Sequence, residues 1–293
     1  MASNPFIIVE LEATAPEIAC DGDHLANVHQ LLQEFGLLTV RLKFQDPKSA
    51  YLRDLIIGLH ERYNHGLPVA HSEMRGWFWD VKPSIAEKSF LTQLARSETF
   101  EPFPWHTDCS YESAVPRYVA LQVLEHDKHG GGTLSMLPVQ QLLERLTART
   151  IESLGLPEYR ITVPPEFAKI NATEIIGPVL SLSQGTSEEV TDPFPAVTGG
   201  KYKARESRQH IRMRFRADII QPLTPEGSNA LLEVQSCLSD RAKLNELGVL
   251  HLTSDDLPRD SIILMDNGRW LHSRSEVKDP TRHLRRVRWD SRP

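Results

Sequence analysis

Apolar positions recur along the chain at two spacings, one that favours helices and one that favours strands. Spacings of three and four residues predict amphipathic helices, because such positions share one helical face. Alternation predicts strands, because successive strand side chains point to opposite faces. The helical spacing covers about 22–35, 47–64, 138–146, 151–154 and 225–244, and strand signals cover 37–42, 117–124, 133–137, 210–219, 261–265 and 284–289.

Two long segments lack a clear period. Residues 71–104 mix aromatics, prolines and charges, which is typical of a loop over a functional site but also of a plain surface connection. Residues 164–205 are rich in Pro, Gly, Ser and Thr and predict no definite element. Strands therefore dominate the centre of the chain, and helices cluster at the N-terminus and in insertions.

The composition of the chain limits the kinds of partner that we expect, but it does not fix the number of domains. The 293 residues are 40% hydrophobic, enough for one large domain or two ordinary ones. With 33 basic and 39 acidic residues and no long run of either sign, a nucleic-acid or membrane partner is not expected. No apolar run is long enough to span a membrane and no secretory leader is recognisable, so we expect a cytoplasmic protein with a small-molecule partner. A homo-oligomer is compatible with the sequence.

Three cysteines are too few and too widely spaced for a disulfide framework or a Cys-rich zinc site. A different ligand set stands at His106 and Asp108, two residues apart and therefore on the same side of an extended segment. Two imidazoles and one carboxylate are the ligand set of non-haem iron oxygenases. His272, which follows an apolar strand, is the candidate third ligand. The His-x-Asp pair alone recurs by chance and would be weak evidence.

With the residues around it, this group resembles the TauD/TfdA and clavaminate synthase-like family of 2-oxoglutarate-dependent dioxygenases. The resemblance spans about 105–289 and is carried by four separate segments. They are the His106/Asp108 pair, the glycine-rich hairpin Gly131-Gly132-Thr133-Leu134, the distal His272, and the Arg-containing strand Arg282-His283-Leu284-Arg285-Arg286. It implies a bound Fe(II), with 2-oxoglutarate and O2 as co-substrates.

The resemblance also implies a role for each of these residues. His106, Asp108 and His272 would form the catalytic metal site, while Thr133 and Arg282 would bind the distal carboxylate of 2-oxoglutarate. A guanidinium suits that task because it can donate to both carboxylate oxygens at once. Arg286 matches a second family arginine near the metal pocket that contacts acidic substrates in some members.

Other substrate-binding candidates are Arg75 and Trp77, which lie where the family commonly has a substrate loop. Aromatic clusters are more often packing than recognition, and a solvated Arg is the default. Three arginines share one face of the predicted 210–219 strand. We expect two of them to face solvent and Arg214 to be the one that points into the pocket.

The implied fold is mainly β with flanking helices, a double-stranded β-helix or cupin-like jelly roll. We expect a single domain over 1–293, with an N-terminal layer in 1–70, the metal-binding core in 105–289 and an insertion at about 164–205. The implied reaction oxidises an unactivated C–H of a small amino-acid-like or carboxylate-bearing substrate and releases succinate and CO2. Hydroxylation is the default outcome, with desaturation or ring formation as alternatives.

Two functions of other classes use the same residues. A zinc hydrolase could be built on the same three ligands, because zinc accepts His and carboxylate and needs one open position. It would not explain Thr133 or Arg282. A catalytically silent barrel that binds a small molecule is the other alternative, although the whole expected catalytic set is present.

Overall fold

The computed structural model describes residues 8–70, 76–84, 94–167, 173–182 and 211–291. Arg75 and most of the predicted insertion therefore lie outside the described residues. Within them, two sheets face each other around a shared core.

The larger sheet has six strands in the order β1-β2-β13-β5-β15-β3. Its β1 and β2 are parallel, and its other neighbours are antiparallel. The central β13 is buried along its whole length, in keeping with its apolar run from Ile262 to Met265. The strands are β1 (Val9–Ala13), β2 (Leu37–Leu42), β3 (Trp79–Val81), β5 (Pro116–Glu125), β13 (Ser261–Asp266) and β15 (His283–Ser291).

The smaller sheet has four strands in the order β12-β6-β14-β4. Apolar side chains from both sheets fill the space between them, among them Ile263, Val119, Met136 and Trp270. The four strands are β4 (Phe103–His106), β6 (Leu134–Pro138), β12 (Leu250–Leu252) and β14 (Trp270–Arg274).

Two N-terminal helices cover the outer face of the six-stranded sheet. These are α1 (Gly22–Glu34) and α2 (Ala50–Tyr63), and their apolar faces pack on strand residues that point away from the inter-sheet core. The side chain of Asp21 accepts a hydrogen bond from the backbone N–H of His24, which caps the start of α1. Such a cap stabilises a helix by about 1 kcal/mol. The N-terminal layer is thus attached by burial of one apolar face.

The remaining elements form a third apolar cluster beside the four-stranded sheet. A three-stranded sheet, in the order β11-β7-β8, and a two-stranded one, β10-β9, contribute to it. The elements are α3 (Val139–Leu143), α4 (Ala148–Leu154), α5 (Pro225–Ser239), α6 (Arg241–Glu246), β7 (Tyr159–Thr162), β8 (Glu174–Gly177), β9 (Leu180–Leu182), β10 (Ile211–Met213) and β11 (Ile220–Pro222).

Two predicted elements are each divided in two. The single strand predicted over 210–219 is wrong, because β10 ends at Met213 and a turn over 217–219 precedes β11. Between them, Phe215 leaves the β10 ladder and hydrogen-bonds to Thr107 instead. The helix predicted over 225–244 breaks at Asp240, whose side chain accepts the N–H groups of Ala242 and Lys243 and starts α6.

The predicted fold class is confirmed: the chain is mainly β with flanking helices, and its core is a jelly roll. The other predicted helices and strands lie within a few residues of the observed bounds. Among the described residues, no helix has the length and apolar character needed to cross a bilayer.

Candidate metal centre

Three buried side chains meet where β4 and β14 pair. His106 ends β4 and lies directly opposite His272 of the antiparallel β14, and Asp108 follows two residues after His106. The Nε2 atoms of His106 and His272 lie 3.8 Å and 3.9 Å from Oδ1 of Asp108. All the ligand atoms lie within 4.8 Å of one another. An ion about 2 Å from each of them would fill this gap.

The two histidines present the same kind of atom to the centre. Nδ1 of His106 lies 2.7 Å from the carbonyl oxygen of Pro104, to which it can donate, and this leaves Nε2 as the lone-pair donor. The ring of Phe103 stacks on His106 with centroids 3.6 Å apart. A backbone hydrogen bond and an aromatic contact therefore fix the orientation of this imidazole before any ion binds.

The electrostatics keep these groups in metal-binding form. Burial lowers the pKa of His106 well below its ordinary value, and the neighbouring His272 lowers it further. Burial likewise lowers the pKa of His272. Burial by itself raises the pKa of Asp108, but Arg286 and His272 outweigh it and hold that pKa below its ordinary value. At neutral pH the site offers two neutral imidazoles and one carboxylate, the forms in which they bind metals.

The backbone of Asp108 is held by a residue from the opposite sheet. Asn267, fully buried just after β13, accepts the Asp108 N–H at 2.7 Å and donates to the Asp108 carbonyl at 2.8 Å. It also donates to the carbonyl of Pro116 at 3.2 Å. On the other side, Thr107 exchanges hydrogen bonds with Phe215 through its backbone N–H and its hydroxyl. The segment that carries Asp108 is thus fixed from both flanks.

Arg286 and Arg288 extend inward from β15 beside this segment. Arg286 donates from Nη1 to Asp108, at 3.3 Å and 3.2 Å from its two oxygens. Arg288 contacts the thiol of Cys109, and burial raises the pKa of Cys109 to about 11. Arg288 also hydrogen-bonds to the buried hydroxyl of Tyr111. These arginines form a basic wall next to the three candidate ligands.

A second basic element lies at the glycine-rich hairpin. Arg282 is 5% exposed, and its Nη1 has no hydrogen-bond partner among the described residues. Burial, and then the charge of Arg274, lowers the pKa of Arg282 to about 10, so the side chain stays cationic at neutral pH. A buried guanidinium with an unused N–H fits a carboxylate, which would supply the missing acceptor.

The hairpin is built to admit Arg282. Gly132 has φ +64°, and a Cβ there would lie 2.7 Å from Nε of Arg282, so glycine is required by both backbone and space. Thr133 follows and is held by Ser275, whose hydroxyl accepts the Thr133 N–H and whose own N–H donates to the Thr133 carbonyl. The sequence-predicted pair Thr133 and Arg282 therefore lies at one hairpin.

Arg274 is a buried residue that sequence reasoning missed. It stands two residues after His272, is 7% exposed, and donates to the carbonyls of Ser97, Thr99 and Glu101. Ser97 belongs to the 95–97 segment that lines the pocket beside the candidate ligands. Arg274 thus ties this pocket wall to the strand that carries the distal His.

The weaker substrate candidates take different positions. Arg75 lies outside the described residues, and Trp77 packs against the core beneath the N-terminal helices. Trp79, two residues on, places its ring 5.9 Å from the Arg286 guanidinium carbon. Of the three strand arginines, Arg212 pairs with Asp266, Arg214 is half-buried, and Arg216 lines the pocket. Arg216 reaches the pocket because β10 ends at Met213 and the 214–216 segment then turns toward Thr107.

The family profile "Taurine catabolism dioxygenase TauD, TfdA family" matches residues 10–288. The chain resembles an asparagine oxygenase in complex with Fe(II), 2S,3S-3-hydroxyasparagine and succinate, with a TM-score of 0.65 and 17% identity over 96% of this chain and 93% of that one. It also resembles the non-heme iron oxygenase OrfP with Fe and alpha-ketoglutaric acid, with a TM-score of 0.58 and 17% identity over 94% and 84%.

A further structure of OrfP, with Fe, succinate and (3S)-hydroxy-L-Arg, gives a TM-score of 0.60 and 15% identity over 93% of this chain and 83% of that one. At these identities the likeness concerns the fold. A comparison with curated protein sequences gave no match.

Proposed function

Because the chain belongs to the TauD/TfdA family of dioxygenases, we propose that it oxidises an unactivated C–H bond of a small, carboxylate-bearing substrate. The family assignment makes it an Fe(II)- and 2-oxoglutarate-dependent dioxygenase. The observation that carries the proposal about the substrate is that two members of the buried His–Asp–His group, His106 and Asp108, line one pocket together with the basic side chain of Arg286.

We assign the iron to His106, Asp108 and His272. The supporting observations are their mutual distances, their burial and the orientation of the His106 ring by Pro104. The donor set of two imidazoles and one carboxylate is that of ferrous oxygenases, which leave the other positions open. The bound iron, with 2-oxoglutarate and O2, supplies the oxidation of the C–H bond, coupled to release of succinate and CO2.

We assign the distal carboxylate of 2-oxoglutarate to Arg282 and Thr133. The unused N–H of Arg282, buried beside the hairpin, supports this assignment. In the unliganded protein a buried guanidinium N–H without an acceptor costs free energy, and a carboxylate there would recover it. A charge-assisted pair of this kind also orients the co-substrate relative to the iron ligands.

The remaining side chains orient the substrate and exclude water. Arg286 contacts Asp108 and would donate hydrogen bonds to a substrate carboxylate. The rings of Phe103 and Tyr111 form apolar parts of the pocket wall. The proteins with similar structures are complexed with hydroxylated asparagine and hydroxylated arginine. An amino-acid-like substrate is therefore the first class to try. Hydroxylation is the default outcome, and desaturation or ring formation would need the same initial oxidation.

We also propose that residues 1–293 act as one domain, since the described part of the N-terminal layer, 8–70, packs on the sheet that carries Arg286. Family membership argues against the zinc hydrolase and the silent barrel.

The experiment uses protein purified without oxygen and supplied with Fe(II), 2-oxoglutarate and a panel of amino acids and small carboxylates. We expect substrate-dependent succinate release after O2 is added. The His106→Ala variant should lose iron binding, whereas His251→Ala, at an exposed histidine of β12, should keep it. Tight zinc binding with no iron affinity, and no succinate with any compound, would overturn the proposal.

A further inference from the structure

Four arginines line the pocket beside the candidate iron ligands. They are Arg96, Arg216, Arg286 and Arg288, and they come from three separate parts of the chain. Asp108 is the one carboxylate among the described residues lining this pocket, and it belongs to the metal site. The positive charge is arranged as two pairs.

The inner pair lies on β15. Arg286 and Arg288 are two residues apart on one strand, so both point to the same face, and they are 6% and 5% exposed. Arg286 lies 3.2 Å from the carboxylate of Asp108, and Arg288 contacts the next residue, Cys109. The inner wall therefore carries one more positive charge than negative.

The outer pair flanks Phe103. The guanidinium carbons of Arg96 and Arg216 lie 5.9 Å and 5.6 Å from the centroid of that ring. Both side chains reach one carboxylate, that of Asp218, at 3.5 Å for Arg96 and 2.9 Å for Arg216. Asp218 is 42% exposed, so solvent screens its attraction to both arginines. The outer wall also carries an excess of one positive charge.

Binding of the metal and the co-substrate leaves the excess positive charge of each arginine pair unchanged. A ferrous ion brings two positive charges and 2-oxoglutarate brings two negative ones, so together they cancel. Arg96 is 37% exposed and Arg216 is 11% exposed, and cations that are partly removed from water are stabilised by anionic ligands. Each arginine pair is thus suited to one anionic group.

We propose that the substrate carries two anionic groups, one bound at the Arg286/Arg288 pair and one at the Arg96/Arg216 pair. This rests on the proposed function and refines it from a carboxylate-bearing molecule to a dianionic one, such as a dicarboxylic amino acid. The oxidised carbon would lie between the two anchored ends, beside the iron ligands. Two anchored ends restrict rotation of a small flexible molecule more than one does.

The test compares dicarboxylic compounds with their monoamides, which have nearly the same size and shape but one charge fewer. The pairs are L-aspartate and L-asparagine, L-glutamate and L-glutamine, and the corresponding pairs with longer chains. Binding is measured by calorimetry without oxygen, on protein loaded with Fe(II) and saturating 2-oxoglutarate. The co-substrate keeps its own site filled, so a dicarboxylate cannot be bound there instead.

We expect at least one dicarboxylate to bind at least about tenfold more tightly than its monoamide. In the Arg216→Gln variant that preference should fall to about onefold. Arg285→Gln is the matched control, because Arg285 lies on β15 but pairs with Asp80 outside the pocket. The control should keep the preference.

The proposal is overturned if every dicarboxylate binds no more tightly than its monoamide, or if Arg216→Gln keeps the full preference. Oxidation of a monoamide with succinate release, and no preference for its diacid, would reject the dianion while leaving the dioxygenase function intact. Absence of succinate release with every compound would instead count against the proposed function.

Discussion

Asn267 encloses the backbone of Asp108, accepting its N–H at 2.7 Å and donating to its carbonyl at 2.8 Å. The two residues stand 159 positions apart in the chain. Every atom involved is buried, so water cannot replace either bond. Asn267 therefore fixes the position of a candidate iron ligand without touching the iron site.

The variant Asn267→Asp tests this role. It keeps the size of the side chain but replaces the amide donor with an oxygen that faces the carbonyls of Asp108 and Pro116. We expect Fe(II) affinity to fall by about tenfold or more, as for other residues that orient metal ligands. Fe(II) titration of the oxygen-free protein measures this. Asn245→Asp, at an exposed position of α6, is the control. Unchanged iron affinity in Asn267→Asp would show that Asp108 needs no such support.

Removal of the Arg282 guanidinium should act on the co-substrate. We expect Arg282→Ala to raise the KM for 2-oxoglutarate by about tenfold or more, because a buried charge-assisted bond is lost. Iron binding, measured separately, should change little. An unaltered KM would mean that another arginine binds this carboxylate, with Arg286 the next candidate.

Gly132→Ala should also raise the KM for 2-oxoglutarate, because it should displace the Arg282 side chain. The new Cβ would lie 2.7 Å from Nε of Arg282, so the guanidinium would have to move. Gly130→Ala is the control, because Gly130 also has a positive φ, of +72°, but no atom of the described residues lies within 4 Å of its added Cβ. Both variants should lose about 1–2 kcal/mol of stability from the left-handed backbone. Only Gly132→Ala should raise the KM for 2-oxoglutarate, and equal KM values in the two variants would contradict the expectation.

The N-terminal layer should lose stability in mild acid. His24, on α1, has its Nε2 2.6 Å from the hydroxyl of Tyr51 on α2, and burial lowers the pKa of His24 below its ordinary value near 6.5. The unfolded chain then binds more protons than the folded one as the pH falls below 6.5. The free energy of unfolding should therefore decrease from pH 7.5 to pH 5.5.

Urea denaturation of the metal-free protein at several pH values measures this decrease. The His24→Asn variant should show a shallower dependence on pH, and His251→Ala should show the full one. A slope in His24→Asn equal to that of the parent protein would assign the effect to other groups.

The pattern of apolar positions was sufficient for α1, α2, β2, β5, β13 and β15. The two helices each bury one continuous face, which their periodicity reports, and the strands are rich in apolar residues because most of their length is buried. The pattern was misleading at 210–219, where alternation continues through a break. The strand ends there because Phe215 hydrogen-bonds to Thr107, a residue from a distant segment. Sequence periodicity cannot show a partner that is so far away in the chain.

Local spacing and the family resemblance together pointed to the candidate ligands of iron and 2-oxoglutarate, which are His106, Asp108, His272, Thr133 and Arg282. These residues stand in short segments that are recognisable in the sequence: an extended His-x-Asp pair, strands and a glycine-rich hairpin. Nothing near Asn267 or Arg288 in the sequence marked them, and Arg216 was expected to face solvent, because the roles of all three depend on which segments become neighbours.

The sequence by itself thus determined the elements, the fold class and the candidate ligands, since these depend on short-range periodicity and short motifs. Only the tertiary structure decided what holds Asp108 in place and which arginines share its pocket. Those relationships depend on contacts between β4, β13, β15 and the segment after β10. Burial of apolar faces brings these elements together, and the apolar pattern of each element does not show which polar residues will become neighbours.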